Sequence, residues 1–262
     1  MSDVIISNDS KSETNSSDSK DVKIFNETEL KDVIKEQEED KGYSQFIKTD
    51  YDREPLADLK VAADEYGISP EERKRRVKKL AGAISHSLRT SGEINVRCFG
   101  TKAISKGAKA LAIAKGYLKD THKDIYLSFA PAFIQTVIEG NELTGISYNT
   151  FSMNPPSNEI VLEKVTSQLF VKADPDDVSV EERRISVRKL AGAVTHSVSE
   201  NKECVLRCFG SKAIAKAAKA LAIARGFVAT SGPDLYCNAS FIIADMNHNE
   251  RTGICFYAFC NS

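Results

Sequence analysis

The chain has 262 residues, 36 Lys and Arg against 37 Asp and Glu, with 41% hydrophobic and 28% charged side chains, an ordinary balance for a globular protein of one or two domains. No run approaches the ~18 to 20 uncharged apolar residues of a membrane-spanning helix, and the N-terminus lacks the apolar core of a signal peptide, so a non-membrane protein of the cytoplasm or nucleus is expected. The net charge of -1 hides an asymmetry: residues 1–55 carry 8 basic and 15 acidic side chains, net -7, and the remainder 28 and 22, net +6. An acidic arm on a mildly basic body suits an anionic partner for the body.

In chain order, residues 1–24 are rich in Ser, Asn, Asp and Lys. They have too few apolar groups to offset the entropy of ordering, so a mostly disordered arm is expected over 1–55. Within it, Asn26 and Glu29 form a capping-box pattern ahead of Leu30, Val33 and Ile34, the mark of a short helix.

From there the chain repeats itself. Shifted by 110 residues, Gly67 to Leu118 falls on Asp177 to Val228 with 29 identities in 52 positions. Thr144-Gly145-Ile146 falls on Thr252-Gly253-Ile254 at an offset of 108, which predicts a hairpin two residues longer in the first copy. Two copies, each with helix and strand patterns, predict two domains, 56–152 and 168–262, joined by a linker over 153–167 that Pro155 and Pro156 make locally extended.

Each copy reads strand, helix, strand, helix, strand, strand. Leu59 to Ala63 and Leu169 to Lys172 are first strands. Ser69-Pro70-Glu71-Glu72 and Ser179-x-Glu181-Glu182 open first helices with a cap and first-turn acids. Val77, Leu80, Ala81, Ile84 and Leu88 give the first helix an amphipathic stripe. Ile94 to Phe99 alternates as a second strand. Lys102 to Tyr117 and Lys212 to Phe227 are Ala-rich second helices ended by Gly116 and Gly226. A long hairpin closes each copy. The expected fold class is an α/β two-layer sandwich, with two helices on one face of a four-stranded mixed sheet in each copy. A core that thin predicts intramolecular pairing of the copies through their second helices and second strands, with further self-association open.

The residues that carry a family are Leu80-Ala81-Gly82-Ala83, Arg97 to Gly100, Ala222 to Leu235 and Asn249-Glu250-Arg251-Thr252. They resemble the bacterial stage V sporulation protein S family, which is similar in turn to the archaeal chromatin protein Alba. Gly100-Thr101-Lys102-Ala103-Ile104-Ser105-Lys106 also resembles Alba's signature at the start of its second helix. The resemblance implies two tandem Alba-like domains that bind DNA or RNA as an intramolecular pseudo-dimer. The chain departs from Alba where the loop after the first strand is acidic, Asp64-Glu65-Tyr66-Gly67 and Asp174-Pro175-Asp176-Asp177. It departs again where the hairpin tips, Glu139-Gly140-Asn141-Glu142 and Asn247 to Arg251, hold one basic residue.

Lys102, Lys106 and Lys109 lie within about 60° of one helix face, as do Lys212, Lys216 and Lys219. Such a stripe is either a solvated face or a set of point charges for phosphates beside a helix N-terminus. Arg97 and Phe99, with Arg207 and Phe209, share the strand face opposite Cys98 and Cys208. They either stack unpaired bases or fill the interface between the copies. The basic run Arg73 to Lys79 is a helix face or a copy-specific patch. His86 and His196 lie opposite the apolar stripe, as surface histidines do. The six cysteines have no C-x-x-C pair and read as buried thiols. Neither a dinucleotide-binding glycine pattern, a nucleophile elbow nor a metal-ligand cluster is present, so the expectation is a non-enzymatic protein without cofactor. The rival reading is a structural or regulatory scaffold that keeps the fold and binds protein.

Overall fold

The computed structural model describes residues 58–138, 140–156, 160–246 and 249–260, so the expectations for the arm fall outside the described residues. The first copy consists of β1 (Asp58–Val61), α1 (Pro70–Thr90), β2 (Glu93–Phe99), α2 (Thr101–Thr121), β3 (Tyr126–Ile138) and β4 (Asn141–Met153). The second consists of β5 (Gln168–Val171), α3 (Val180–Asn201), β6 (Glu203–Cys208), α4 (Ser211–Ala229), β7 (Leu235–Met246) and β8 (Asn249–Cys260).

The first helices start where the caps predict. Ser69 accepts from the Glu72 amide at 3.2 Å, with Pro70 opening the helix. Ser179 and Glu182 form a reciprocal capping box. The second helices are Ala-rich because they lie flat on the sheet. Ala103, Ala108, Ala110 and Ala114 of α2 and their counterparts in α4 are fully buried, and small side chains bring helix and strand close. At Gly107 there is no room even for a methyl group, since a Cβ there would sit 2.6 Å from Cys98 Sγ and 3.0 Å from the Tyr148 ring. Tyr148 uses that space to donate from its hydroxyl to the Ile104 carbonyl at 3.0 Å. The second copy carries Ala217 and Phe256 at these places, a methyl group gained where a hydroxyl is lost.

Two separate four-stranded sheets were expected; the strands instead form one eight-stranded sheet, in the order β1-β2-β4-β3-β7-β8-β6-β5. Within each half the first two strands are parallel and the rest antiparallel. The halves join where Phe129 of β3 pairs antiparallel with Cys237 of β7. Those residues are equivalents at the offset of 108, so a pseudo-twofold axis runs through this pair.

The copies therefore meet through third strands and second helices: α2 packs on α4 and β7, and α4 packs on β3. The second strands take no part, because β3 and β4 stand between β2 and the axis. Buried side chains of both halves form one hydrophobic core beneath the four helices. Polar contacts cross the seam as well. Asn238 donates to the Leu127 carbonyl at 2.6 Å and accepts from the Tyr126 hydroxyl at 2.6 Å, while Lys115 donates to Ser240 at 3.2 Å.

The hairpin turns are of equal length, and the strands differ by one residue, 13 against 12. Ile138 pairs with Asn141 and Met246 with Asn249, with two residues between in each case. The two extra residues of the first copy lie earlier, where α2 has 21 residues and α4 has 19. The linker is not a plain spacer either. Leu162–Lys164 forms a turn of 3-10 helix, and Val165, with Ile160 and Leu162, packs against Val205, Cys255, Tyr257 and Ile242 on the sheet face away from the helices.

Candidate nucleic-acid interface

The acidic loops and the lysine stripes, separate features in the sequence, are partners in the structure. Lys106 Nζ lies 2.5 Å from Asp64 Oδ1, with 15% and 17% of the two side chains exposed. Lys216 lies 2.5 Å from Asp174, at 12% and 13%. In both copies the β-strand-to-helix loop thus folds its aspartate over the start of the second helix and neutralises the middle lysine. Lys212 is tied to Asp176, and its ammonium holds that carboxyl below the ordinary carboxylate range.

Of the six stripe lysines, Lys106, Lys212 and Lys216 are therefore engaged. Lys102 is exposed and Lys109 and Lys219 are half-buried, and none of these three has an acidic partner among the described residues. The second helices begin at Gly100 and Gly210, both at positive φ and without a side-chain cap. Their first amides are left for solvent or an anion.

Arg97, Phe99, Arg207 and Phe209 are not between the copies, since β2 and β6 are two strands removed from the seam. They lie on the open face of the sheet, opposite the helices. Each phenyl ring covers the glycine beside it: a Cβ would meet the ring at 2.7 Å at Gly145 and at 2.8 Å at Gly253, and the Cys98 or Cys208 carbonyl at 2.5 Å, so neither position has room for a side chain. Arg97 Nε stands 3.1 Å from Asp58 but out of line for a hydrogen bond, and is otherwise buried. Around Arg97 and Phe99 a cleft of about 300 Å³ is lined by Lys60, Ile134, Gln135 and Thr136.

The basic run on α1 is partly self-neutralised. Glu72 bonds Arg75 at 2.7 Å and Arg76 at 3.0 Å, and Arg73 donates to the Ile68 carbonyl at 2.8 Å. His86 is exposed and His196 lies 3.5 Å from Glu200. Burial pushes the thiols of Cys98, Cys204 and Cys255 up to about 12. Among the described residues no group of three His, Cys, Asp or Glu is placed to hold a metal ion, and no helix is long and apolar enough to cross a membrane.

Lys60 was not singled out by the sequence. Its signal is the comparison of the copies: Lys60 stands where the second copy has Phe170, beside an arginine and a phenylalanine that both copies share.

The profile of the Stage V sporulation protein S family matches residues 72–152 and 182–261, more than half of the chain and once in each copy. The chain belongs to that family, as a tandem duplication of its domain. Each match begins inside a first helix and runs through the hairpin of the same copy, so it takes in three of the four strands of that half of the sheet and leaves out β1 or β5.

Proposed function

We propose that this stage V sporulation protein S family member is a non-enzymatic nucleic-acid-binding protein of the cytoplasm or nucleus, in which two Alba-like domains act as an intramolecular pseudo-dimer. The observation that carries the reading is the set of cations left over once the acidic loops are counted. Lys102, Lys109 and Lys219, on one face of α2 and of α4, have no acidic partner among the described residues, and the uncapped start of α2 lies beside Lys102. Point charges beside a helix N-terminus bind phosphate without reading sequence. A covalent link between the copies makes the pairing of two such surfaces unimolecular.

The second reading, a scaffold that binds protein, is favoured by the same loops: Asp64, Asp174 and Asp176 remove three of six stripe lysines from phosphate contact. Titration of duplex DNA, duplex RNA and single strands against salt separates the two. On the first reading affinity falls with salt, and replacing Lys102, Lys109 and Lys219 by Gln lowers the log–log slope by about 0.7 to 0.9 for each phosphate that is no longer neutralised. No binding by the wild-type chain at low salt supports the scaffold.

A further inference from the structure

The open faces of the two copies end differently. In the second copy Phe170 of β5 stacks on Phe209 of β6, with centroids 5.9 Å apart and planes at 20°. The sheet face alongside them is apolar, with Val205, Cys255 and Tyr257 buried under Val165 of the linker. In the first copy Lys60 replaces Phe170, and the face carries Asn95, Ser147 and Asn149 where the second has Val205, Cys255 and Tyr257. Phe99 keeps its place over Gly145, but among the described residues no ring is stacked on it as Phe170 is on Phe209. What is left there is the cleft of about 300 Å³ between Phe99, Lys60 and Arg97.

We propose that this cleft, in the first copy only, takes one nucleotide unit of a single strand, with the base stacked on Phe99 and the adjoining phosphate held by Lys60 and Arg97. The Phe170–Phe209 stack is the internal counterpart, a ring already seated where the first copy leaves room for a base. A planar apolar surface edged by Lys60 and by Arg97, whose Nε also faces Asp58 at 3.1 Å, matches a nucleotide better than a peptide or a simple anion. Base–aromatic stacking needs no particular base, and a duplex, whose bases are already stacked, cannot use it. Gln135 and Thr136 add hydrogen-bonding groups at the rim. The inference rests on the nucleic-acid reading above, but on different residues from those that carry it.

The test uses the full chain, a fluorescently labelled single-stranded oligothymidylate and a duplex of the same length, followed by anisotropy at low salt. Lys60→Phe installs the side chain that the second copy carries at the same place and fills the cleft. Phe99→Leu keeps an apolar side chain over Gly145 and removes the stacking surface. Each variant is expected to bind the single strand roughly 5- to 150-fold more weakly, the range of one base–aromatic stack, while Phe99→Leu leaves duplex affinity unchanged. Single-strand affinity unchanged in both variants overturns the site and leaves the general reading standing. Equal loss on single strand and duplex in Phe99→Leu overturns base stacking. Wild-type binding to duplex but not to the single strand overturns the cleft alone, and wild-type binding to neither removes the general reading and the cleft with it.

Discussion

In the first copy the pocket between the end of the second helix and the start of the third strand holds a cation–π contact, Lys115 Nζ lying 5.5 Å from the Tyr126 ring centre. In the second copy the same two positions are Arg225 and Asp234, a fork-to-carboxylate pair at 2.7 and 2.9 Å with both side chains nearly buried. One fold has solved one packing problem twice. The first solution leaves Lys115 facing the seam, where it also reaches Ser240 of the other copy, and burial lowers its pKa. The second turns the charge back into its own half. The same division runs through the rest of the molecule: the second copy is closed upon itself by the Phe170–Phe209 stack and the linker, and the first keeps polar groups and cations on its open face.

The largest effect that tests this division is alkaline. Five buried thiols have raised pKa values, of which Cys98 alone belongs to the first copy and Cys204, Cys208, Cys237 and Cys255 to the second. In each case desolvation is the leading cause. The folded chain thus keeps protons that the unfolded chain releases, and stability must fall as pH rises above about 9, the ordinary value of the thiol. The slope is up to about 1.4 kcal/mol per pH unit for each thiol. Urea unfolding across this range should show the fall. Replacing the four thiols of the second copy by Ala should flatten it far more than replacing Cys98, and equal flattening would deny the asymmetry.

Next in size is the helix-end pair. Asp234→Ala deprives a nearly buried guanidinium of its carboxylate and is expected to cost about 3 to 5 kcal/mol. Lys115→Ala removes a cation–π contact and one hydrogen bond, about 1 to 3 kcal/mol together. Denaturant midpoints at unchanged m-value measure both. The reverse order would mean that the seam depends on Lys115 more than the second half depends on its ion pair.

Much of this was legible in the sequence, for physical reasons that differ by element. The helices and strands of each copy follow from caps and periodicity, signals that are local. The repeat made each reading twice, and the family followed from it. What could not be read was how edges meet. Nothing local in Phe129 or Cys237 says that their strands will pair and merge two sheets into one. The loop aspartates were visible as acids but not as partners of Lys106 and Lys216, because the contact spans 42 residues in each copy. The hairpin difference was misplaced for a related reason: an offset that changes between Leu118 and Thr144 fixes the length of a gap and not its position. The helix end absorbed it, since β3 and β4 must keep the same register as β7 and β8 for the two halves to match across the axis. Lys60 was legible in principle, as the one cation set against Phe170, but only once the neighbouring Arg97 and Phe99 were known to share its face.

The smallest expected effect concerns the starts of α1 and α3. Ser179 accepts from the Glu182 amide at 3.2 Å, while the Glu182 carboxylate receives the Ser179 amide at 2.8 Å and its hydroxyl at 2.7 Å. Ser69 also accepts from the Glu72 amide, but Glu72 has turned away to Arg75 and Arg76. The difference follows from the sequence, because the first copy has Arg76 where the second has Ser186, and that serine turns to Asp174 instead. Removing a serine cap costs about 0.5 to 2 kcal/mol. Ser179→Ala removes two hydroxyl bonds, one accepted from the Glu182 amide and one donated to its carboxylate, and keeps the Ser179 amide on Glu182, whereas Ser69→Ala removes a single cap bond. The first should therefore lie toward the upper part of that range and the second toward the lower. Thermal melts of the two single variants and the double variant measure it. The two sites are in different copies with no shared partner, so the double variant should show the sum of the single effects; a larger loss for Ser69→Ala would mean that the arginines, by drawing Glu72 away, have made the remaining cap bond more important and not less.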